Sequence, residues 1–246
     1  MNIEQKIHRR VGTAIRKHDM IIEGDRVLIA VSGGKDSVTM AKILAEKQRY
    51  LPISFELTAC QIVTDLMPRE HQRESHLDKL FAGFGIPIQH RFVPVLARLD
   101  KGRKLNCFFC AMQRRMALLK VANELGCSKI AYGHHLDDII ETLLMNMFYK
   151  AEISTMPARL ELDYHNVVLI RPLCHAKENE LRTYAKRFEL VDAGGPECPY
   201  GVDGRRQRIK SVIRELAMED ERVRDNLFAS LDRVKIDYLR EKRRSR

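Results

Sequence analysis

The sequence has no apolar run that approaches the roughly 20 residues needed to span a bilayer. Its N-terminal stretch, MNIEQKIHRRVGTAIRKHDM, lacks the apolar core of a secretory signal peptide. Glu4, Asp19 and the absence of serine from this stretch favour an ordinary surface helix over a basic targeting helix. We therefore expect a cytoplasmic protein without a membrane partner.

Internal repeats and low-complexity segments are also absent from the 246 residues. This length is enough for one α/β domain with a full core and an appendage. The apolar fraction of 45% and the charged fraction of 31% are typical of a soluble globular protein. We therefore expect a single main fold rather than an array of small modules.

The six cysteines do not indicate a disulfide framework, because a chain of this size and class without a signal peptide normally keeps its thiols reduced. Three of them lie in or beside apolar segments, where a free cysteine is usually a small buried hydrophobe: Cys60, Cys127 and Cys174. Cys107 and Cys110 form a C-x-x-C motif, and Cys198 lies in a polar loop rich in glycine and proline.

Short apolar segments alternate with helical patterns along most of the chain. The predicted strands cover residues 26–31, 54–63, 86–93, 129–133 and 167–173. The predicted helices cover residues 2–18, 36–48, 68–85, 107–126 and 137–149, and three further helical stretches follow residue 176 around a loop at 194–201. This alternation predicts an α/β fold with a parallel, doubly wound sheet of about five strands and a helical C-terminal extension.

The segment Ser32–Ser37, SGGKDS, follows the first predicted strand and begins a helix. Open parallel sheets bind ligands beyond the carboxyl ends of their strands, and helix N-termini attract anions. Gly33 and Gly34 permit close approach of the backbone, and Lys35 supplies a charge for a phosphate. Asp36 can cap the helix or hold Mg²⁺, and the two serines offer hydroxyls. The segment predicts a phosphate-binding turn rather than a plain strand-to-helix connection.

Two common nucleotide-binding motifs are missing from this position. A Walker loop requires G-x-x-x-x-G-K-[ST], but an aspartate follows Lys35 and no glycine lies five residues before Gly34. The dinucleotide pattern G-x-G-x-x-G is absent as well. These absences exclude the two commonest nucleotide folds and leave a different class of phosphate-binding turn.

The segment KIAYGHHLDD repeats the pattern of an apolar run, a glycine and polar residues that start a helix. Asp137 and Asp138 suit a helix N-terminus on dipole grounds alone. We expect both corners on the same edge of the sheet, where the two carboxylates could also carry Mg²⁺ or orient a nucleotide beside Gly133. His134 and His135 receive no role, since a histidine at a strand end is more often a hydrogen-bonding residue than a catalyst.

Cys107 and Cys110 begin a predicted helix that continues with Arg114 and Arg115. The nearby cations and the helix N-terminus favour the thiolate form. A single C-x-x-C has three interpretations, namely a redox pair, half of a zinc site or half of an iron–sulfur site. No second C-x-x-C exists to complete a Cys₄ zinc site. With Cys198 the motif supplies three thiolates, which suits a 4Fe–4S cluster with one open iron.

SGGKDS resembles the PP-loop of the N-type ATP pyrophosphatases, which cleave ATP between the α and β phosphates. The C-x-x-C with its trailing RR, the stretch ELG-x-x-KIA-x-GHH-x-DD and a later cysteine before a basic helix extend this likeness to the TtcA group of tRNA thiolases, over roughly residues 20–215. The related TtuA/Ncs6 thiolases of uridine share these motifs but also carry paired N-terminal cysteines. Met1–Ile22 contains no cysteine, which favours the TtcA group.

The resemblance implies an adenine nucleotide alpha hydrolase-like fold and an ATP-dependent sulfurtransferase that adenylates the C2 carbonyl of a tRNA pyrimidine and replaces its oxygen with sulfur. Cytidine is the expected base and uridine the alternative. The implied cofactors are ATP, Mg²⁺ and a 4Fe–4S cluster, and the implied partners are tRNA and a sulfur donor, either a cysteine desulfurase or sulfide. A homodimer is left open. The implied sites are ATP at Ser32–Ser37 and Gly133, the cluster on Cys107, Cys110 and Cys198, and catalytic roles for Asp36, Arg114, Asp137 and Asp138.

The formal net charge of +10 and the pI near 9.4 favour a polyanionic partner. Cations concentrate in RRQRIK, Arg205–Lys210, and in the final REKRRSR, although either run also suits a solvated helix face or a tail. We predict three regions: an N-terminal helix at 1–24, a PP-loop ATP pyrophosphatase domain at 25–175, and a helical basic region at 176–246 that carries Cys198.

Two other functions fit parts of the sequence. A PP-loop ligase that transfers an amine would share SGGKDS, but nitrogen transfer needs no soft ligands such as three cysteines. A cluster-bearing, nucleotide-binding RNA module that senses oxygen or iron would share both motifs. Formation of AMP and pyrophosphate with bulk tRNA distinguishes an enzyme from such a sensor.

Overall fold

The structure is a computed structural model that describes residues 1–66, 76–100, 102, 104–162, 166–190 and 204–239. Six strands form one sheet in the order β3-β2-β1-β4-β6-β5. The strands are β1 Arg26–Val31, β2 Glu56–Thr64, β3 Ile88–Val93, β4 Lys129–Ala131, β5 Arg159–Leu162 and β6 Val167–Ile170. The helices are α1 Ile3–Lys17, α2 Lys35–Gln48, α3 His76–Phe84, α4 Cys107–Glu124, α5 Leu136–Lys150, α6 Glu178–Arg187, α7 Gly204–Glu219 and α8 Val223–Ser230, followed by a short 3₁₀ helix at Ile236–Tyr238.

Five of the strands run parallel, which confirms the α/β prediction. The remaining strand, β5, was not predicted from the sequence. It pairs antiparallel with β6 at the edge of the sheet, with Leu162 opposite Val167. Its four residues, RLEL, are too few to indicate a strand without the neighbour that pairs with them. The connection at 163–165 lies outside the described residues.

The predicted and observed helix bounds agree within about two residues for α1, α2, α4 and α5. The three helical stretches predicted after residue 176 correspond to α6, α7 and α8. The helix predicted at 68–85 is described only from His76. The loop predicted at 194–201, with Cys198, lies outside the described residues.

The strand order places a topological switch point between β1 and β4. From β1 the chain crosses through α2 to β2 on one side, whereas β3 leads through α4 to β4 on the other side. Because such crossovers are right-handed, connections that run in opposite directions place their helices on opposite faces of the sheet. Open α/β sheets bind ligands outside the carboxyl ends of their strands at such a point.

Helix α4 packs on the sheet through its second half. Its buried side chains there share one apolar cluster with the five parallel strands; the cluster includes Leu118, Leu119, Val121 and Ala122 of α4 with Leu28, Ile62, Val93, Ile130 and Leu169 of the sheet. Since α4 leads directly into the parallel strand β4, its first turn lies toward the carboxyl edge of the sheet, about 27 Å from its end at a rise of 1.5 Å per residue. The sequence thus brings the start of α4 to the ligand-binding edge.

The chain divides into two compact units. The first comprises residues 1–136 and 156–203 and contains the whole sheet; the second comprises residues 137–155 and 204–246 and contains most of α5 together with α7 and α8. The three regions predicted from the sequence stay a prediction. Among the described residues we find no helix whose length and apolarity would suit a membrane crossing.

Candidate active site

The SGGKDS corner, Ser32–Ser37, joins the buried strand β1 to α2. Gly33 has a φ of +85°, which side chains rarely adopt without strain. Gly34 is the N-cap residue, and within the described part of the chain no side chain caps the helix there. The N–H groups in the first turn of a 14-residue helix are therefore directed outward at the carboxyl edge of β1.

The two serines of this corner hold its shape. The Ser37 hydroxyl donates to the Gly34 carbonyl at 2.9 Å and accepts the Ser32 N–H at 3.2 Å. The Ser32 hydroxyl oxygen accepts the Gly34 N–H at 3.2 Å. Both hydroxyls thus stabilise the turn, and Ser37 is buried.

Asp36 pairs with its neighbour Lys35, whose Nζ lies 2.9 Å from Oδ2 of the carboxylate. Of the two roles predicted for Asp36, helix capping is not observed, because the N-cap is Gly34. The other oxygen, Oδ1, is buried and has no hydrogen-bond partner among the described residues. A buried carboxylate oxygen is costly unless an ion or ligand meets it, and Mg²⁺ prefers oxygen ligands. This arrangement fits a magnesium ion that arrives with a nucleotide.

Gly133, in the turn after β4, packs directly on the SGGKDS corner. A Cβ atom at this position would lie 3.0 Å from the backbone nitrogen of Ser37 and 3.1 Å from its Cα. Only glycine allows the two turns to approach this closely. The structure therefore brings the first and second corners of the sequence together at the switch point.

Cys107 and Cys110 lie in the first turn of α4. The Asn106 side chain caps this helix by accepting the Phe109 N–H at 2.8 Å. Cys107 is exposed and Cys110 half-buried. Because residues three apart share one side of a helix, both thiols can contact one ligand. Accessible sulfur donors at the ligand-binding edge suit a soft metal or a cluster, whereas the third predicted ligand, Cys198, lies outside the described residues.

The three cysteines predicted to be inert are buried: Cys60, Cys127 and Cys174. Burial raises the pKa of Cys60 and of Cys174 to about 12 and also raises the pKa of Cys127. A thiol with so high a pKa is protonated at neutral pH and is a poor nucleophile. The division of the described cysteines into a buried and an accessible set is confirmed.

Tyr132 directly follows β4 at this edge. Its N–H donates to the Ile170 carbonyl at 2.9 Å, and its ring stacks on His134 at a centroid distance of 5.6 Å. Burial raises the pKa of the Tyr132 hydroxyl, and the positive charges of Arg115, Arg171 and Arg114 partly offset this effect. The two arginines that follow the C-x-x-C therefore act electrostatically on the second corner.

Arg171 is a charged residue at this edge that the sequence analysis missed. It directly follows β6, is 4% exposed, and donates to the Pro157 carbonyl. Burial lowers the pKa of this guanidinium to about 10. The available signal was a cation immediately after the apolar run VVLI.

In the second unit, the two aspartates at the start of α5 pair with arginines of α7 and α8. Asp137 is buried and accepts the Arg224 Nε–H at 2.9 Å. Arg206 donates through Nη2 to Asp138 at 2.7 Å and through Nε to the buried Glu141 at 2.9 Å. The carboxylates predicted to face a nucleotide thus hold α7 and α8 against α5.

We expect Arg206→Gln to destabilise the protein by about 1–3 kcal/mol, since it leaves the Glu141 carboxylate buried without its guanidinium. Burial already raises the pKa of Glu141, and Arg206 opposes that rise. Without Arg206 the folded-state pKa of Glu141 rises further above its unfolded-state value. The variant therefore keeps its stability below the unfolded-state pKa of glutamate, where Glu141 is protonated in both states. It loses stability as the pH rises through the folded-state pKa of Glu141, because the buried carboxylate must then be charged. Urea unfolding at about pH 5 and about pH 8 should show the larger loss at the higher pH.

The matched control for this prediction is Arg208→Gln, an exposed arginine two residues along the same helix. It should leave the unfolding midpoint unchanged. Glu141→Gln in the Arg206→Gln background should restore most of the lost stability at the higher pH. Equal losses in Arg206→Gln and Arg208→Gln would contradict the ion-pair assignment.

The cations of the basic run Arg205–Lys210 differ in their surroundings. Arg206 belongs to the ion pairs described above, whereas Arg208 is exposed. The guanidinium of Arg205 lies over the ring of Tyr149, 5.0 Å from its centroid. Exposed cations beside an exposed aromatic ring are a common arrangement for nucleic-acid contact. The final basic stretch, residues 240–246, lies outside the described residues.

The PP-loop domain family matches residues 3–191 of the sequence. The chain belongs to the PP-loop family. This PP-loop chain is 36% identical over 244 residues to the tRNA-cytidine(32) 2-sulfurtransferase of Anaeromyxobacter dehalogenans (strain 2CP-C), across 96% of this chain and 82% of the relative. It is 37% identical over 237 residues to the enzyme of the same name from Burkholderia multivorans, across 96% of this chain and 71% of the relative. The resemblance to the TtcA group is confirmed.

Solved structures share the fold of this PP-loop chain. The U34-tRNA thiolase NcsA from Methanococcus maripaludis, solved with its [4Fe-4S] cluster, superimposes with a TM-score of 0.79 at 22% identity, across 99% of this chain and 82% of NcsA. The NMN synthetase of Francisella tularensis superimposes with a TM-score of 0.53 at 14% identity over the full length of both chains. These likenesses confirm the predicted α/β architecture.

Proposed function

We propose that this PP-loop chain is an ATP-dependent sulfurtransferase that replaces the C2 oxygen of a tRNA cytidine with sulfur. The observation that carries the proposal is an identity of 36–37% across 96% of the chain with enzymes named tRNA-cytidine(32) 2-sulfurtransferase. Cytidine 32 is accordingly the proposed target. The alternative, a uridine, is supported by a likeness of fold alone.

We assign ATP to the SGGKDS corner. The outward N–H groups of the first turn of α2 and the Lys35 ammonium supply positive charge for its phosphates, and Gly133 lets the turn after β4 pack directly on this corner. The cytidine C2 oxygen attacks the α-phosphorus, and pyrophosphate leaves. The positive groups stabilise the charge that develops on the phosphates without rearrangement.

Asp36 is the proposed Mg²⁺ ligand, because its buried Oδ1 lacks a hydrogen-bond partner among the described residues. Asp137 and Asp138 were also predicted to carry the ion or orient the nucleotide. Their ion pairs with Arg224 and Arg206 favour a supporting role, in which they fix α7 and α8 for substrate binding.

Cys107, Cys110 and Cys198 are the proposed ligands of a 4Fe–4S cluster. The first two are accessible at the ligand-binding edge, whereas Cys60, Cys127 and Cys174 are buried. When bound, a cluster with three cysteine ligands supplies an open iron that can hold sulfur. In the second step, a sulfur nucleophile attacks C2 of the adenylated base, and AMP leaves with the original oxygen. Arg114, one helical turn after Cys110, is the proposed contact for the departing phosphate.

The direct test is a reaction of the full-length protein with bulk tRNA, ATP, Mg²⁺ and sulfide under anaerobic conditions. Nucleoside mass spectrometry should detect 2-thiocytidine, and AMP and pyrophosphate should form in equal amounts. ADP and phosphate as the only products would exclude the pyrophosphatase chemistry. Thiouridine without thiocytidine would assign the enzyme to the uridine group.

Neutralising Arg205, Arg208 and Lys210 should weaken tRNA binding and flatten its salt dependence. Each phosphate contact contributes about 0.7–0.9 to the slope of log K against log salt concentration, so the triple variant should lose about 2 or more. Arg206 is left intact because its ion pairs stabilise the fold of the second unit. Filter binding or fluorescence anisotropy across a salt series measures the slope.

The control for the salt series replaces three exposed cations on other helices or helix ends, Arg49, Lys120 and Arg182, by glutamine. This variant carries the same net charge as the α7 variant and should keep the original slope. An unchanged slope in the α7 variant would show that its cations form only a solvated face. Equal flattening in both variants would indicate a general charge effect.

A cysteine desulfurase or free sulfide is the proposed sulfur donor, and the cytoplasm is the proposed location. Either donor suits a site whose accessible thiols lie at the open edge of the sheet. The homodimer stays a prediction.

A further inference from the structure

Three potential metal ligands meet on the first unit, and none of them is among the residues assigned above to ATP, Mg²⁺ or the cluster. His18 directly follows α1, and Cys174 and His175 lie in the turn after β6. One donor atom of each residue lies within 4.8 Å of those of the other two. Cys174 is buried, and the two histidines are half-buried. We name these three residues the His–Cys–His cluster.

The spacing of the two histidines matches the spacing of ligands on one ion. Their Nε2 atoms are 3.3 Å apart, and the rings meet nearly edge to face at a centroid distance of 5.4 Å. Two nitrogens about 2.05 Å from a zinc ion, at a tetrahedral angle, are about 3.3 Å apart. A thiolate about 2.3 Å from the same ion lies about 3.6 Å from each nitrogen. Because the donor atoms lie within 4.8 Å of one another, closing the cluster on zinc requires each sulfur–nitrogen distance to shorten by about 1.2 Å at most.

The backbone that carries the cluster is held by hydrogen bonds and an ion pair. Arg10 Nη1 donates to the His175 carbonyl at 2.7 Å, and the same guanidinium binds the buried Glu180 of α6 at 3.0 Å. The Cys174 N–H donates to the Arg171 carbonyl at 3.0 Å, and the His18 N–H to the Ala14 carbonyl at 3.2 Å. Fixed backbone positions of this kind keep ligands in place with little ordering cost on binding.

We propose that His18, Cys174 and His175 bind one zinc ion, with water as the fourth ligand. Zinc binding would release the proton of the buried Cys174 thiol, as metal binding to cysteine does. Two imidazoles and one thiolate then form a mixed nitrogen and sulfur donor set. Such a set is typical of zinc, whereas Mg²⁺ and Ca²⁺ take oxygen ligands. The competing interpretation of the short Nε2–Nε2 distance is a hydrogen bond between two neutral rings, which requires no metal and no thiol.

The ion would join the end of the first helix to the last parallel strand of the sheet. His18 and His175 are 157 positions apart in the sequence, so the ion would join two segments that only the folded chain brings together. Because the site exists only in the folded protein, zinc stabilises that state by mass action. The proposed role of the ion is therefore to stabilise the folded first unit.

The test is metal analysis of the full-length protein in four forms: wild type, His18→Gln, Cys174→Ser and the control Cys127→Ser. Each is stripped with a chelator, mixed with excess zinc and dialysed. Wild type and Cys127→Ser should retain about one more zinc per chain than His18→Gln and Cys174→Ser. The same comparison in a Cys107→Ala, Cys110→Ala background excludes the zinc that those thiols could take.

A second measurement keeps the proposal testable if a variant folds poorly. Co²⁺ titrated into metal-free wild type should give tetrahedral visible bands and a sulfur-to-cobalt charge-transfer band. The charge-transfer band should persist in the Cys107→Ala, Cys110→Ala background. It should vanish when Cys174→Ser is added to that background. Zinc should raise the melting temperature of wild type and of Cys127→Ser but not of His18→Gln. Equal zinc in all four forms, or a cobalt spectrum without a thiolate band in that background, would overturn the proposal.

Discussion

Alanine in place of Cys107, Cys110 or Cys198 is expected to abolish tRNA thiolation while ATP binding persists. Fe–S clusters are ordinarily held by four thiolates, and a site with three cannot lose another and remain closed around a cluster. The first two cysteines are exposed or half-buried, so their removal creates little cavity in the core. ATP binding survives because the SGGKDS corner is built on β1 and α2, which do not include these cysteines.

The measurements for this prediction are iron content, ATP affinity and 2-thiocytidine formation. Anaerobically reconstituted wild type should bind about four irons per chain, and each variant close to none. The matched control is Cys127→Ala, which removes a buried thiol with a raised pKa and should keep both iron and thiolation. Thiolation by the triple variant would rule out the proposed chemistry. If wild type instead binds one zinc and no iron at these cysteines, the site is a structural zinc site and not a cluster site.

Gly133→Ala should raise the Kd for ATP by about 10- to 100-fold. Its Cβ would lie 3.0 Å from the backbone nitrogen of Ser37, and neither turn can yield without displacing the other. Overpacking of this kind costs about 1–3 kcal/mol, and each 1.4 kcal/mol corresponds to a factor of ten in Kd.

Lys35→Ala should slow adenylation by about 10²–10³, because it removes a preorganised charge from the phosphates.

Isothermal titration with ATP and a pyrophosphate-release assay measure these two effects. Gly83→Ala is the matched glycine control, since an added Cβ there meets no atom within 4 Å. Lys120→Ala is the matched lysine control, because that side chain is 79% exposed on α4. Normal ATP affinity in Gly133→Ala would place the nucleotide away from the contact between the two corners. Normal adenylation by Lys35→Ala would show that the phosphates do not bind at the SGGKDS corner.

Much of the architecture was predictable because its signals are local. Apolar runs alternating with helical patterns identified the five parallel strands, and glycines after two of those runs marked both corners of the site. Because the carboxyl ends of parallel strands lie at one edge, these signals predict that the corners carrying Lys35 and Gly133 share that edge. The buried state of Cys60 and Cys127 followed in the same way from their apolar neighbours.

The partners of charged groups were not predictable, since opposite charges attract whatever their distance along the chain. Asp137 and Asp138 suited a magnesium site by sequence, yet Arg224 and Arg206 lie 87 and 68 positions away and pair with them. The run Arg205–Lys210 likewise gave no sign that Arg206 differs from Arg208. Only the packing of α7 and α8 against α5 separates a structural arginine from exposed ones.

The sequence by itself determined the parallel α/β fold, the strand–turn–helix form of the SGGKDS corner and the position of Cys107 and Cys110 at the start of a helix, because each depends on residues within one local segment. The tertiary structure alone decided the contact between Gly133 and Ser37, the burial of Arg171 and the meeting of His18 with Cys174 and His175. These features join segments that are distant in the chain. Their distances depend on how helices and strands pack around a shared core, which no local pattern records.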